Sequence, residues 1–277
     1  IYPGFGFLAE NASFAEKCRE SGFKFIGPDP EVIAIMGDKI KAKELAKSLN
    51  IPVVPGYEGE ISTENEAIKI VEEIGYPVII KASAGGGGRG MRVVNSSDEL
   101  WQSIQSAQNE AELAFGDGKI FIEKYLKKPR HIEVQIFGNG KGEAVHLFTR
   151  DCSLQRKYQK IVEEAPALNI DNQKLEEIQN LSVEACKKLN YEGAGTVEFL
   201  YENNDFYFIE MNTRIQVEHT VTEMITGVDL VQAQLLLALE NKYDFKQEDL
   251  KVNGHAMQCR IKAEDPETFV PSPGRIE

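Results

Sequence analysis

Between Thr196 and His219 the sequence runs TVEFLYENNDFYFIEMNTRIQVEH, and acids, amides and a guanidinium recur in it at even spacing. Glu198, Glu210, Asn212, Arg214, Gln216 and Glu218 stand multiples of two apart, so on extended chain they share one face. Alternating aromatic and aliphatic residues flank Asn203-Asn204-Asp205, the pattern of a β-hairpin. A two-residue loop would put Glu198 and Glu210 on opposite faces. A three-residue loop pairs Glu202 with Phe206 and sets Glu198 across from Glu210. It also gathers Val197, Phe199, Tyr201, Tyr207, Ile209 and Met211 into one apolar face, so the hydrophobic pattern favours it. Facing carboxylates repel. A hard divalent cation relieves that repulsion, and Mg²⁺ takes one or two carboxylates together with phosphate oxygens. The plain alternative is a solvated sheet face of mixed charge. The clean alternation of Met211, Ile215 and Val217 with the polar set favours an active site, with the chain expected to stay extended through Glu218.

A second segment with chemical potential is Ser83-Ala84-Gly85-Gly86-Gly87-Gly88-Arg89-Gly90, entered from Lys81. Gly85, Gly87 and Gly90 match G-x-G-x-x-G, but strand-like Met91-Arg92-Val93-Val94 follows where a dinucleotide fold needs a helix. No G-K-[ST] is present, which excludes a Walker loop. The lysine precedes the glycines and no H-R-D follows, which excludes a protein kinase. What remains is a glycine hairpin whose backbone N–H groups can approach phosphates, with Lys81 as a point charge: a phosphate-covering lid.

The elements that must carry these residues are legible in outline. Helices are expected over 12–21, from Asp29-Pro30, over 39–49 behind Asp38, from Thr63 to Gly75, from Ser96 to about Phe115, over 171–189 and over 229–240. Thr63-x-x-Glu66 and Ser96-x-x-Glu99 read as capping boxes. Strands are expected over 23–26, 77–82, 91–94, 120–125, 131–137, 143–148 and 255–261, the last carrying Arg260. Pro52 and Pro55 mark a change of character, after which 53–125 forms a compact α/β unit.

At 277 residues the chain can build one large core or two smaller ones. A formal charge of −13 argues against nucleic acid as a partner. No 18-residue apolar run exists, so no transmembrane helix is expected. Cys18, Cys152, Cys186 and Cys259 lack any C-x-x-C pair and read as free thiols of a reducing compartment, cytoplasm or mitochondrial matrix. Ile1-Tyr2-Pro3-Gly4 opens in mid-motif without Met, so the chain reads as a fragment.

Taken together, YPGFGFLAEN, FIGP, MGDK, IGYPVIIKASAGGGGRGMRVV, RDCSLQRKYQKIVEEAPA, FYFIEMNTRIQVEH, VTEMITGVDL and CRIKAEDP resemble the ATP-grasp superfamily, and within it the biotin carboxylase family, over essentially the whole chain. The resemblance implies an α/β (α+β) ATP-grasp fold with a glycine-rich β-hairpin lid, truncated at both ends. Residues 1–30 would close an N-terminal domain and 31–52 form connecting helices. Residues 53–125 would be the small lid subdomain, 126–255 the large subdomain, and 256–277 the start of a C-terminal domain.

The resemblance implies ATP-dependent carboxylation of carrier-linked biotin by bicarbonate through carboxyphosphate. Lys39 and Lys81 would contact ATP phosphates beneath a lid containing Gly85, Gly86, Gly87 and Gly88. Glu123, Lys124 and the backbone near Leu126 would hold adenine. His131, Gln155, Gln159 and Lys160 would line the ribose and phosphate side, Lys160 also serving catalysis, although His131 alone reads as a satisfied half-buried histidine. Glu198, Glu210 and Asn212 would bind Mg²⁺ or Mn²⁺. Arg214, Gln216 and Val217 would hold bicarbonate, Glu218 would be its base, and Arg260 would stabilise the biotin enolate. His146, His219 and His255 read as structural. Implied partners are a biotin carboxyl carrier protein or domain, a carboxyltransferase and a second copy in a homodimer. Tyr158, Thr220 and Ala84 depart from the family pattern, which has His, Pro and Gly there. The rival readings are a carbamoyl-phosphate synthase, which would need an ammonia route, and a nucleotide-binding module without catalysis.

Overall fold

The computed structural model describes all residues except 58, 60, 83–90, 117, 157–158, 244 and 276–277. The chain divides into two compact units, one formed by Ile1–Pro52 with Arg130–Glu277, the other by Val53–Pro129. The glycine segment 83–90, with the lid expectation placed on it, lies outside the described residues.

The larger unit opens with three helices, α1 (Ala12–Glu20), α2 (Pro30–Gly37) and α3 (Lys39–Ser48). Each starts at an acceptor side chain that pairs an orphan N–H: Asn11 caps α1, Asp29 caps α2 ahead of Pro30, and Asp38 caps α3. Phe23–Ile26, expected as a strand, forms no ladder. Ile26 N–H donates to the Ile1 carbonyl, and Phe25 packs with Ala15, Cys18 and Ile33 while Phe23 stays exposed.

The smaller unit comprises β1 (Gly56–Tyr57), α4 (Glu64–Ile74), β2 (Val78–Ala82), β3 (Arg92–Val94), α5 (Ser97–Phe115) and β4 (Ile120–Lys124). Its antiparallel sheet has the order β1-β4-β2-β3. Val78, Ile80, Ile120 and Ile122 alternate onto one face, where Val71 of α4 and Leu100 and Ile104 of α5 cover them. Thr63 caps α4 as expected, accepting from Glu66 N–H. Ser96 precedes α5 without making a side-chain cap bond, so the second capping box does not form.

The rest of the larger unit is β5 (Arg130–Asn139), β6 (Ala144–Arg156), β7 (Gln159–Ala165), α6 (Asn172–Lys188), β8 (Glu192–Glu202), β9 (Asp205–Asn212), α7 (His219–Thr226), α8 (Leu230–Glu240) and β10 (Ala256–Cys259). Its six strands are antiparallel in the order β10-β7-β6-β5-β8-β9. On the central strand β5 both faces are buried: Ile132, Val134 and Ile136 alternate with Glu133 and Gln135, and all five are fully inaccessible. A buried polar row must be paired internally, and that requirement organises the site. Further along the face that carries Glu133 and Gln135, Phe137 and Ala194 pack with Val145, Leu147 and with Leu230, Ala233 and Leu237 of α8.

Candidate active site

The β8–β9 hairpin turns on two residues, not three. Asn203 and Asn204 both have positive φ, 54° and 68°, as a type I′ turn requires, and Glu202 pairs with Asp205. That register alone would separate Glu198 from Glu210. A β-bulge corrects it: Phe199 pairs with Phe208, Ile209 is the extra residue, and Glu198 still faces Glu210. The expected facing pair is therefore present by a different device. The expected apolar face changes with the loop, because Tyr201 and Phe199 now pack on Phe206 and Phe208, with Tyr201 and Phe206 ring centroids 4.7 Å apart. Tyr207 and Ile209 leave that set.

Glu198 is buried and fully engaged. Its Oε1 accepts from Lys160 Nζ at 2.9 Å, Asn212 Nδ2 at 2.9 Å and Gln216 Nε2 at 2.7 Å, and its Oε2 lies 2.8 Å from His131 Nε2. Burial alone would raise its pKa, but His131 and Lys160 outweigh burial and hold it at about 2. Glu210 goes the other way. The protein packed around it and the Glu198 charge raise its pKa, and Lys39 at the start of α3 offsets part of that rise.

Lys160 of β7 carries three ion pairs, to Glu133 at 2.5 Å, Glu198 at 2.9 Å and Glu218 at 2.7 Å. Burial would lower its pKa, and the carboxylates, Glu133 first, raise it instead. Glu133 is buried, which would raise its pKa, yet Arg150 and Lys160 hold it low. Arg150, on β6 and wholly inaccessible, donates to Glu133 at 2.5 Å, Gln135 at 2.6 Å, Thr222 at 2.8 Å, Thr196 at 3.2 Å and Gln216 Oε1 at 2.7 Å. With Oε1 claimed by Arg150, the Gln216 amide must turn its N–H groups toward Glu198.

Beyond Asn212 the chain bends instead of staying extended. Glu10 accepts from Thr213 N–H at 3.1 Å and from Arg214 Nε at 2.8 Å, drawing Arg214 aside. Arg214 Nη2 also donates to Asn212 Oδ1 at 2.8 Å, which fixes that amide with its Nδ2 on Glu198. Gln216 and Glu218 still converge with the cluster, Val217 lies in the turn between them, and Glu218 becomes the N-cap residue of α7. Glu218 is buried. Its Oε1 takes Lys160, and its Oε2 takes Arg260 Nη2 at 2.8 Å. Arg260 follows β10, and its Nε donates to Glu163 at 2.5 Å.

Other expected residues are placed as follows. Gln155 Nε2 donates to the Cys152 carbonyl at 2.8 Å and pairs with Lys160 across the β6–β7 ladder, while Gln159 Oε1 accepts from Lys262 at 2.8 Å. Tyr158 lies outside the described residues. Thr220, where the family pattern has Pro, is the second residue of α7, and its hydroxyl donates to Gln258 Oε1 of β10. In the smaller unit Lys81 Nζ is 2.5 Å from Glu123 Oε2, Lys124 Nζ donates to the carbonyls of Gly75 and Tyr76 at 2.9 and 3.0 Å, and Leu126 follows β4 half-buried.

A facing pair of carboxylates flanked by a lysine, two arginines and two amides is a hard-cation and anion site. Known proteins supply its lineage. Residues 38–246 match the family described as carbamoyl-phosphate synthase L chain, ATP binding domain, and residues 1–33 match the biotin carboxylase N-terminal domain. The biotin carboxylase of Haemophilus influenzae is 57% identical over 277 residues, and that of Pseudomonas aeruginosa 55% over 278; each match takes 100% of this chain and 62% of the relative. The chain belongs to the biotin carboxylase family. A solved structure of the biotin carboxylase domain dimer of Hydrogenobacter thermophilus 2-oxoglutarate carboxylase is similar at a TM-score of 0.83 and 49% identity, over 100% of this chain and 63% of that one. Membership gives the chain its ATP-grasp fold assignment. The chain spans about three fifths of the length of these relatives.

Glu10, Glu133, Arg150 and Glu163 bond to this cluster and are residues that sequence reasoning missed. Glu133 and Gln135 did carry a signal, as polar residues alternating with Ile132, Val134 and Ile136 on a strand. Arg150 and Glu163 lie within the quoted RDCSLQRKYQKIVEEAPA, but nothing in the order of residues distinguishes a buried arginine from a solvated one.

Proposed function

We propose that the chain is the nucleotide- and bicarbonate-handling part of a biotin carboxylase, which carboxylates carrier-linked biotin at the expense of ATP. The observation that carries this reading is the meeting of Lys160 and Arg260 on the two oxygens of Glu218, beside the Glu198–Glu210 pair. Support also comes from the Hydrogenobacter thermophilus relative, described in complex with MgADP, ADP and bicarbonate. Glu198 and Glu210, an all-oxygen pair facing each other across the ladder, fit a hard divalent cation, with Asn212 beside them; burial and then the Glu198 charge raise the pKa of Glu210. Such a cation would supply charge neutralisation for the transferring phosphoryl group.

The protein's own groups then divide the work. Bicarbonate, a planar anion, suits the Arg214 fork and the Gln216 amide, with Lys160 as a further positive charge. Glu218 takes the bicarbonate proton as its oxygen attacks the γ-phosphorus of ATP; that P–O bond forms, the bond to ADP breaks, and carboxyphosphate results. Carboxyphosphate divides into CO₂ and phosphate, the released phosphate takes the proton of the biotin ureido nitrogen, and that nitrogen attacks CO₂. Arg260 opposes the negative charge that the ureido oxygen gains meanwhile. Lys39 and Lys81 are assigned to ATP phosphates, and Glu123, Lys124 and Leu126 to adenine. The carrier protein, the carboxyltransferase and a second copy are the partners this function requires.

The test uses the full-length protein and Glu218→Gln. Biotin carboxylation should fall by about 10² to 10⁴, as for loss of a general base, with nucleotide affinity retained. Were Glu218 only a tie for Arg260 and Lys160, the change would chiefly lower the melting temperature. Carboxylation at the parental rate would sink the base assignment whatever the melting point.

A further inference from the structure

Glu163 lies on β7 three residues past Lys160 and is fully buried. Its Oε1 accepts from Arg260 Nε at 2.5 Å, while its Oε2 is buried and has no hydrogen-bond partner among the described residues. Buried polar atoms in folded proteins are nearly always paired, so an orphaned carboxylate oxygen asks for a functional account. The backbone delivers the arginine to this spot: Gln258 pairs with Glu163, Cys259 with Val162, and Arg260 N–H donates to the Ile161 carbonyl at 2.8 Å. An arginine and a carboxylate held together for stability alone favour the two-point fork, with both oxygens used. Here the fork is divided. Nε goes to Glu163 and Nη2 to Glu218 Oε2 at 2.8 Å, so one guanidinium spans two carboxylates from different elements. Burial raises the pKa of Glu163 and Arg260 opposes that rise, as expected for an anion paired directly, among the described residues, with this arginine.

We infer that Glu163 is a positioning residue for Arg260: it anchors Nε, so that Nη2 exchanges Glu218 for the ureido oxygen of biotin without the side chain swinging away. Its Oε2 completes the device. When the guanidinium leaves Glu218 it pivots about the anchored Nε, and Oε2 accepts the second N–H of a two-point contact. The inference rests on the reading of Arg260 given above.

Glu163→Gln keeps the size and one acceptor while removing the charge, and Glu163→Met removes the acceptors as well. In the full-length protein, with free biotin as substrate, Glu163→Gln should lower kcat for carboxylation by roughly 10- to 100-fold, the scale on which small misplacement of a reacting group is felt. Glu163→Met should lower it at least as far. The deciding readout is a double-mutant cycle with Arg260→Gln. If Glu163 acts through Arg260, the double variant loses no more activity than Arg260→Gln alone. A structural role would instead lower the melting temperature and multiply the two losses, and that result would overturn the inference. So would a Glu163→Gln variant at the parental rate beside an impaired Arg260→Gln. Arg260→Gln at the parental rate would remove the reading of Arg260 itself, and this inference with it.

Discussion

Glu198 and Glu210 face each other across one ladder position, yet their pKa values move in opposite directions, and the neighbours explain why. Glu198 meets the Lys160 ammonium, the amide N–H groups of Asn212 and Gln216 and the His131 ring, so both of its oxygens are engaged. The pKa of Glu210 is raised first by the protein packed around it and then by the field of Glu198, with some relief from Lys39. Neither acid alone makes a strong Mg²⁺ site, because that ion keeps its waters and leans on phosphate oxygens. Mg²⁺ should therefore bind weakly without nucleotide and together with it when ATP is present, and Glu210→Gln should abolish that coupling. Calorimetric titration of Mg²⁺ with and without ATP reads this out directly. Tight metal binding without nucleotide, unchanged in Glu210→Gln, would refute the shared-metal arrangement.

At the scale of elements, the hairpin shows both how far the sequence is legible and where it stops. Alternating aromatics around Asn203-Asn204-Asp205 announced two paired strands, and the need to bury them brought Glu198 opposite Glu210. The bulge at Ile209 was invisible, because one unpaired residue leaves the composition of the strand unchanged. β7 was missed for another reason. QKIVEEA puts Lys160, Glu163 and Glu164 where a strand pattern wants alternation, and only the fold reveals that Lys160 and Glu163 are paired with Glu133, Glu198, Glu218 and Arg260. The turn into α7 was read as more strand, since its polar residues keep period two; the pull of Glu10 on Thr213 and Arg214 comes from 203 residues away. The type I′ turn has its own test. Asn204 holds φ 68° with its Oδ1 bonded to Tyr201 Oη at 3.0 Å. A β-branched residue in that region is strained, so Asn204→Val should cost about 1–2 kcal/mol, while Asn204→Gly should leave stability equal or higher. Urea midpoints for the two variants should fall on opposite sides of the parent or, for glycine, level with it; a valine variant as stable as the parent would remove the turn assignment.

For the molecule as a whole, acid is the condition that separates its buried charges, because the groups titrate in different windows. His146 on β6 is buried, which lowers its pKa from 6.5 to about 4. Its Nδ1 accepts from Phe148 N–H at 3.3 Å and its ring packs edge-on against Phe148, so the neutral imidazole is the form the fold uses. Between pH 6.5 and about 4 the unfolded chain holds a proton on this residue and the folded chain does not. The contribution of His146 to stability therefore falls as pH drops through that window, by on the order of 3 kcal/mol once the whole interval is crossed. Glu198, held at about 2, has the same sign in a lower window: its contribution is present above the ordinary carboxylate pKa and disappears as pH falls from about 4.5 toward 2. His146→Gln, which keeps an acceptor for Phe148 N–H without a titrating proton, should flatten the stability profile between pH 6.5 and 4 and leave the steeper loss below pH 4 in place. Urea unfolding of parent and variant at half-unit intervals of pH would measure both limbs. Parallel profiles across the upper window would show that His146 is not what couples folding to protons there.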